Sequence, residues 1–226
     1  MCGRFVGFRS LEELIDHFPV DVSNVDATAN FNVSPSQEIL AIARHEGKNH
    51  LVAFNWGLVP FWAKDKSIGS RMINARSKTA HSKPSFRNAF KRRRCLILAD
   101  GFYEWKRDKG NKQPMFLTLP DGNPFAFAGL WEIWDNQGKA PEPYRSCTIL
   151  TRQASDSVRP IHHRMPVILK PEAYTPWLDP ANQDIEILQD IIQNQLHTEL
   201  KAIPVSRQVN LVRKNSPENS KQIELF

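Results

Sequence analysis

The stretch Cys95-Leu-Ile-Leu-Ala-Asp-Gly-Phe-Tyr-Glu-Trp105 combines a strand signal with a candidate catalytic group. Its first five residues are apolar and predict a buried β-strand. Aromatic residues at positions 102, 103 and 105 then surround Glu104. A carboxylate in such surroundings loses solvation, which raises its pKa towards the range of a general acid or base. The plainer alternative is that Glu104 points outward from an alternating strand, the usual place of a single glutamate.

Other short runs rich in apolar, β-branched and aromatic residues predict further strands. They are Leu51–Trp56, Met115–Leu119, Phe125–Trp131, Cys147–Thr151 and Val167–Leu169, with a turn signal at Asp121–Pro124. Helices are predicted at about 10–18, from a capping-box spacing, and at about 85–92 and 186–196, from apolar residues at helical intervals. In the last of these helices, one apolar stripe is predicted from Ile187, Leu188, Ile191 and Ile192. Together these elements predict the α+β class, with curved and mostly antiparallel sheets.

The composition is that of a soluble globular protein: of 226 residues, 41% are hydrophobic and 24% are charged. No apolar run reaches the roughly 18 residues of a membrane span, and charged residues interrupt the N-terminal segment where a secretory signal would lie. The three cysteines are too few for a disulfide framework. We therefore expect a cytoplasmic chain without a membrane anchor. Because repeats and linkers are absent, we expect one domain over residues 1–226.

Positive charge is concentrated between Lys64 and Arg94. This segment holds eleven lysines and arginines and one acidic residue, Asp65, in a chain whose net charge is +6. Such a one-sided segment is typical of a surface that binds a polyanion, for example nucleic acid. A solvated basic face without a partner has the same composition. Phe61 and Trp62 precede the segment in a loop, where they could stack on bases, whereas Trp56 in its strand is expected in the core.

Polar side chains near this segment suit a sugar or a phosphate. Asn74 and Arg76 alternate with Ala75, so an extended backbone turns both to the same side. An amide and a guanidinium there could bind sugar or phosphate oxygens together, or Arg76 could pair with a carboxylate.

A pair of histidines, His162 and His163, lies in a Pro-bounded turn of the kind that presents catalytic histidines, although such a pair is more often a surface feature. A metal site is not predicted. Adjacent histidines do not share a helical face, no CxxC motif occurs, and Cys95 and Cys147 lie in apolar runs typical of buried thiols. We expect neither a metal nor a cofactor.

The chain begins Met1-Cys2-Gly3-Arg4-Phe5. If Met1 is removed, Cys2 carries a free α-amine and a thiol on neighbouring carbons, a pair of nucleophiles that no other residue offers. Sequence motifs elsewhere in the chain bear on this residue.

Eight motifs occur in order along the chain and together resemble the SOS-response-associated peptidase (SRAP) family, proteins that shield abasic sites in DNA repair. The motifs are MCGRF at 1–5, FNVSP at 31–35, NWGLVPFW at 55–62, INARSKTA at 73–80, CLILADGFYEWK at 95–106, ILT at 149–151, IHHRMP at 161–166, and PVS with VN at 204–210. They span nearly the whole chain.

The resemblance implies a single SRAP domain with a curved β core and a positive channel for single-stranded DNA. It also implies that Met1 is removed and that Cys2 becomes the covalent nucleophile. The α-amine then forms a Schiff base with the aldehyde of an abasic deoxyribose. The thiol, with an ordinary pKa of about 8.5, closes a thiazolidine ring on the same carbon, a reaction favoured because it is intramolecular.

The resemblance also implies roles for other residues. Asn74 contacts the amine and the sugar, Glu104 orients the amine and moves its proton, and His162 acts on the ring oxygen or hydroxyl of the sugar. Contacts to the flanking DNA fall to a further set: Arg4 and Arg76 on phosphates, Pro35 and Trp62 on bases, and Thr151 in the pocket.

Two positions depart from the family pattern. His163 stands where the family usually has an acidic residue. Lys83 or Arg87 replaces an arginine that usually precedes the phenylalanine matched by Phe86, with a different phosphate geometry. Both substitutes belong to the predicted DNA-binding set.

Two other functions remain open from the residues. Cys2, His162 and Glu104 could form the nucleophile, base and orienting group of a thiol peptidase, with action limited to removal of Met1. The chain could instead be a non-catalytic single-strand DNA-binding module, with salt-sensitive binding and no dependence on Cys2. An imine at C1′ would also permit β-elimination, which is a lyase activity. We further expect a monomer that associates with the nucleoid during DNA damage.

Overall fold

The computed structural model describes residues 2–108, 110–136, 138 and 141–224. The strands in these ranges are β1 Phe5–Gly7, β2 Val22–Ser23, β3 Asn30–Val33, β4 Glu38–His45, β5 Lys48–Trp56, β6 Asn74–Arg76, β7 Arg94–Ala99, β8 Gly101–Asp108, β9 Asn111–Thr118, β10 Phe125–Trp134, β11 Tyr144–Gln153, β12 Arg164–Pro166, β13 Ile168–Leu169 and β14 Lys201–Pro204. The α-helices are α1 Leu11–His17, α2 Ser77–Ala80, α3 Arg87–Arg92, α4 Tyr174–Leu178 and α5 Ile185–Asn194, and short 3₁₀ helices span Lys66–Arg71, Pro171–Ala173, Arg207–Asn210 and Pro217–Ser220.

These elements confirm the predicted α+β class and its strands. Every predicted apolar run overlaps a strand, and the three predicted helices are present as α1, α3 and α5. Ser10 caps α1 in a capping box with Glu13, as its spacing predicts. One detail of the prediction for α5 was wrong. Ile187, which was expected in the apolar stripe, is exposed. The buried residues of the stripe are Leu188, Ile191 and Ile192.

The larger sheet has the strand order β12-β11-β10-β7-β4-β5-β2. Its neighbours along β11-β10-β7-β4-β5 are antiparallel, but β5 also pairs with β11 in parallel through Asn55 and Ser146. This extra pairing closes the five strands into a barrel. Next to it, β6 pairs with β11 in parallel and continues the barrel wall. The sheets are therefore mostly antiparallel, with parallel pairs at the closure.

The smaller sheet has the order β14-β9-β8-β1-β3. The chain passes from β7 in the larger sheet to β8 in the smaller sheet with Asp100 alone between them. The carboxylate of Asp100 accepts hydrogen bonds from the Phe8 main-chain N–H at 2.7 Å and from Arg9 Nε at 2.9 Å. These contacts anchor the start of the chain at the junction of the two sheets.

A shared apolar core lies between the sheets. Phe5 of β1 packs edge-on against Trp56, with ring centroids 5.2 Å apart, and against Phe127 at 5.8 Å. Phe102 of β8 contacts the same Phe127 ring. Trp56 is buried, as predicted. Because β1 is a strand of the smaller sheet and packs against the barrel through Phe5, the residues that precede it are drawn into the interior.

The helices cover the other face of the larger sheet. Arg94 is buried there and donates hydrogen bonds to main-chain carbonyls at the ends of α3 and α4 and in the loop beyond, namely those of Phe90, Lys91, Trp177, Asp179 and Asn182. One guanidinium thus satisfies helix-end carbonyls that would otherwise be orphaned. Within the described residues, no helix combines the length and apolar character that a bilayer span requires.

Candidate active site

Cys2 lies in the interior, immediately before β1. Its side chain is fully buried, and its main-chain carbonyl accepts a hydrogen bond of 2.8 Å from Asn74 Nδ2. Asn74 begins β6 in the larger sheet, whereas the segment after Cys2 belongs to the smaller sheet. Cys2 is therefore held at the boundary between the two sheets, and the hydrogen bond to Asn74 spans that boundary.

The environment of Cys2 changes its acidity. Burial raises the pKa of the Cys2 thiol well above its ordinary value, and the negative charge of Glu104 raises it further. The expectation of an ordinary thiol pKa is therefore wrong. In this pocket the sulfur carries its proton at neutral pH, so any reaction that uses it as a nucleophile requires a nearby base.

Glu104 is buried within β8 and does not point outward, so the plainer alternative for this residue is wrong. It lines a cavity of about 440 Å³ together with Trp105, Arg107, Lys112, His162 and Asn210. Its charge raises the pKa of the Cys2 thiol, so the carboxylate lies within electrostatic range of the sulfur. The carboxylate, the imidazole of His162 and the thiol therefore lie in one region, although they are 58 to 160 residues apart in sequence.

His162 is held by the backbone that follows it. His162 Nδ1 lies 3.0 Å from the main-chain nitrogen of Arg164 and 3.0 Å from its carbonyl oxygen, so Arg164 offers a partner to either tautomer of the ring. The ring stacks on His163 with centroids 4.4 Å apart. His163 is exposed, and its pKa is lowered, first by the charge of His162. Where the family pattern has an attractive carboxylate, this chain has a second, repulsive imidazole.

Asn74 has a second polar atom at this site. Its Oδ1 is buried and accepts no hydrogen bond within the described residues. The Nδ2 group is occupied by the Cys2 carbonyl. A free acceptor beside Cys2 suits a donor such as an amine or a sugar hydroxyl.

A cationic cluster lies on the adjoining edge of the larger sheet. Arg164 Nη2 donates to the Thr151 carbonyl at 2.8 Å and to Thr151 Oγ1 at 2.6 Å. Burial lowers the pKa of Arg164, and the charge of Arg76 lowers it further, so the two guanidinium groups are neighbours. Arg76 is exposed and pairs in register with Thr151. Sequence reasoning missed Arg164, although it stands two residues after His162 in the same motif.

Arg4 makes hydrogen bonds within the fold. Its Nη1 donates to Asn32 Oδ1 at 2.7 Å and to the Val209 carbonyl at 2.8 Å. Asn32 is buried and also donates to the carbonyls of Leu211 and Lys214. Arg4 and Asn32 together fasten the C-terminal segment against the start of the chain.

The other predicted DNA-binding residues lie at the surface. Trp62 is 42% exposed and Lys83 and Arg87 are exposed, while Pro35 is half-buried in the loop between β3 and β4. Their roles in DNA binding stay predictions.

The cationic surface is smaller than the charge count of residues 64–94 indicates. Nine of the eleven lysines and arginines are exposed. Arg93 pairs with Glu132 at 2.8 Å, and Arg94 is buried among helix-end carbonyls. These two residues belong to the scaffold, so the solvent-facing cations of the segment end at Arg92.

No group of three or more histidine, cysteine and acidic side chains that could hold a metal ion occurs among the described residues. The chemistry open to the site is that of a thiol, a carboxylate, an imidazole and an amide.

Comparisons with known proteins show the family to which the chain belongs. The family model "SOS response associated peptidase (SRAP)" matches residues 1–212. The chain is 44% identical over 223 residues to the abasic site processing protein YoqW of Bacillus subtilis, covering 96% of this chain and 98% of YoqW. It is 30% identical to the abasic site processing protein YedK of Escherichia coli, with 79% of each chain covered. The fold matches a crystal structure from Bacteroides thetaiotaomicron with a TM-score of 0.87 at 22% identity, over 99% of this chain and 100% of that one. The chain therefore belongs to the SOS response associated peptidase family.

Proposed function

We propose that this protein recognises abasic sites in single-stranded DNA and captures them covalently through Cys2 after removal of Met1. The observation that carries the proposal is the position of Cys2, buried and tied to Asn74 beside the carboxylate of Glu104. The names of the relatives, abasic site processing proteins, support the choice of lesion.

The reaction uses the two nucleophiles of an N-terminal cysteine. The α-amine adds to the aldehyde at C1′ of the ring-opened sugar, and water leaves to form an imine. The thiol then adds across the C=N bond: sulfur bonds to C1′ and the thiol proton passes to nitrogen. Atoms and electrons balance without an oxidant or reductant, and the second step is fast because both nucleophiles belong to one residue.

The raised pKa of Cys2 favours Glu104 as the base that accepts the thiol proton. Because the thiol is protonated at neutral pH, a base must accept its proton as sulfur attacks. The adjacent carboxylate can take this proton and return it to the ring nitrogen. Asn74 Oδ1 can accept from the α-amine and hold it towards C1′, while His162 acts on the ring oxygen of the sugar.

The test is a gel-stable adduct with an oligonucleotide whose uracil has been excised by a glycosylase. The protein with Met1 removed, verified by intact-protein mass spectrometry, is expected to form the adduct. Cys2→Ala, and a variant that retains an extra residue ahead of Cys2, are expected to form none. A heat-stable adduct with either variant would exclude Cys2 chemistry.

The thiol-peptidase alternative rests on the same residues. Peptide cleavage by Cys2 does not require a free α-amine, whereas imine formation does. Protein whose amine is blocked should therefore lose cross-linking under the proposed function. If the blocked protein instead cleaves peptides at the rate of the free protein, the peptidase function is favoured.

Strand cleavage is a side reaction of the same imine. The imine makes the neighbouring C2′ proton acidic, so β-elimination competes when ring closure is slow. Cys2→Ser keeps the amine and replaces the thiol by a poorer nucleophile, so this variant should nick abasic DNA. Intact strands would show that ring closure is not what suppresses elimination.

A further inference from the structure

A second cationic surface lies at the rim of the cavity, on the smaller sheet and outside residues 64–94. Arg107 of β8 and Lys112 of β9 are directly paired across the hairpin, are exposed, and line the cavity with Glu104 and His162. The sequence did not predict this cationic surface, because the residues outside 64–94 carry a net negative charge. The fold gathers part of the remaining basic charge at the rim of the cavity.

The two cationic surfaces belong to different sheets. Arg76 extends from β6 of the larger sheet beside Thr151 and Arg164, whereas Arg107 and Lys112 extend from the smaller sheet. Cys2 lies at the boundary between these sheets. A DNA strand whose abasic sugar lies at Cys2 can therefore continue towards one of the two cationic surfaces on each side of the lesion.

Segment 207–214, near the C-terminus, extends the second cationic surface. Asn210 lines the cavity and accepts a hydrogen bond of 2.8 Å from Trp105 Nε1, which docks the segment against β8. The residues that follow are exposed and are either aliphatic or basic: Leu211 at 47% exposure, Val212 at 48%, then Arg213 and Lys214. The carbonyls of Leu211 and Lys214 are fixed by Asn32, so these side chains are presented from a tied loop. Exposed aliphatic side chains beside cations suit a nucleotide, which offers an apolar base face beside a phosphate.

From this arrangement we infer that the hairpin tip with Arg107 and Lys112, together with segment 207–214, binds the strand on one side of the lesion, while the cations around Arg76 bind the strand on the other side. The inference rests on the proposed function, since it assumes a lesion at Cys2. It assigns a role in DNA contact to residues for which the family motifs imply none.

The experiment measures reversible binding to oligonucleotides that carry a tetrahydrofuran abasic analogue. The analogue has no aldehyde, so no covalent step interferes. Three oligonucleotides are compared: one with about ten nucleotides on each side of the analogue, one shortened on the 5′ side and one shortened on the 3′ side. The two variants are Arg107→Glu/Lys112→Glu and Arg76→Glu/Lys78→Glu. Lys48→Glu/Lys201→Glu is the matched control, because both lysines are exposed and neither lines the cavity.

With full flanks, each of the two variants is expected to raise the Kd at least tenfold, and the control by less than about twofold. Shortening one flank should abolish the effect of Arg107→Glu/Lys112→Glu and leave the effect of the other variant, and shortening the opposite flank should do the reverse. The inference is overturned if Arg107→Glu/Lys112→Glu binds like the control, or if both variants lose their effects on the same flank. Adduct formation by the unaltered protein with a true abasic site tests the proposed function separately.

Discussion

At the residue scale, the thiol of Cys2, the nucleophile of the proposed function, is not activated in advance. Burial and the charge of Glu104 both favour the neutral thiol. A neutral buried thiol resists oxidation and random alkylation, because the thiolate is the reactive form. Under the proposed function the site needs a base only when substrate is bound, and the carboxylate that suppresses ionisation is also a group able to accept the proton.

Replacement of Glu104 by Gln separates these two effects. The pKa of Cys2 is raised partly by the negative charge of Glu104, so removing that charge should lower the pKa and increase the thiolate fraction at pH 8. Alkylation of Cys2 by iodoacetamide should become faster, while the cross-link rate should fall about tenfold or more because the base is lost. Rates are measured against Cys2→Ala, which corrects for Cys95 and Cys147. Faster alkylation with an unchanged cross-link rate would remove Glu104 from the mechanism.

His163 offers a test of the stacked imidazoles. The charge of His162 is the first cause of the lowered pKa of His163, and the two rings are stacked. His163→Asp replaces this imidazole by a carboxylate, which attracts positive charge at this side of the site. We expect the pH–rate profile of cross-linking to move to higher pH by about 0.5–1 unit, and His163→Asn to move it less. An unchanged profile in His163→Asp would show that the charge at position 163 does not affect the rate-limiting step.

At the element scale, the passage from β7 to β8 controls how the two sheets meet. Gly101 begins β8 directly after Asp100. A Cβ atom on Gly101 would lie 2.4 Å from the Phe116 ring and 2.9 Å from the Leu117 carbonyl oxygen, so a side chain there requires β8 and β9 to separate. The absence of a side chain permits the close approach of the hairpin that carries Glu104.

Gly101→Ala should therefore destabilise the fold by about 1–3 kcal/mol, the usual cost of overpacking, and weaken the site with it. Gly7→Ala is the matched control in the neighbouring strand, since a Cβ atom there meets nothing within 4 Å. Denaturant unfolding of both variants gives the comparison. Equal stability of the two would show that the hairpin adjusts at no cost.

At the scale of the whole molecule, the arrangement of charge decides how the protein meets a polyanion. The exposed lysines and arginines of residues 64–94 face solvent, while Arg93 and Arg94 stabilise the scaffold. Counterion release makes each phosphate contact visible as salt dependence, with about 0.7 added to the slope of log Kd against log salt for a single strand.

Substitution of an exposed arginine and of an ion-paired arginine should therefore separate effects on DNA binding from effects on stability. Arg87→Gln is expected to reduce the salt slope by about 0.7 and to leave stability nearly unchanged. Arg93→Gln breaks its pair with the buried Glu132, so it should lower the free energy of unfolding by about 1–3 kcal/mol and leave the slope unchanged. Fluorescence anisotropy at several salt concentrations, with thermal unfolding, measures both. A slope that responds to Arg93→Gln would place its guanidinium on the DNA path.

Much of the architecture was predictable because local patterns carry it. The capping box of α1, the strand at residues 95–99 and the extended Asn74–Arg76 segment each follow from neighbouring residues. The parallel pairing of β5 with β11 was not predictable, because it joins segments about 90 residues apart and depends on barrel closure. The exposure of Ile187 and the burial of Arg94 likewise depend on what packs against them.

The sequence alone determined the family, the strand-rich class and the set of candidate groups, since ordered motifs and periodicity are properties of the chain itself. The tertiary structure decided their state and their surroundings: that Glu104 is buried beside Cys2, that the thiol is held neutral, and that Arg107 and Lys112 line the same cavity as His162. The physical reason is that burial and electrostatic interaction depend on distance in space. Here the packing of β1, a strand of the smaller sheet, against the larger sheet brings residue 2 to residues 74 and 104.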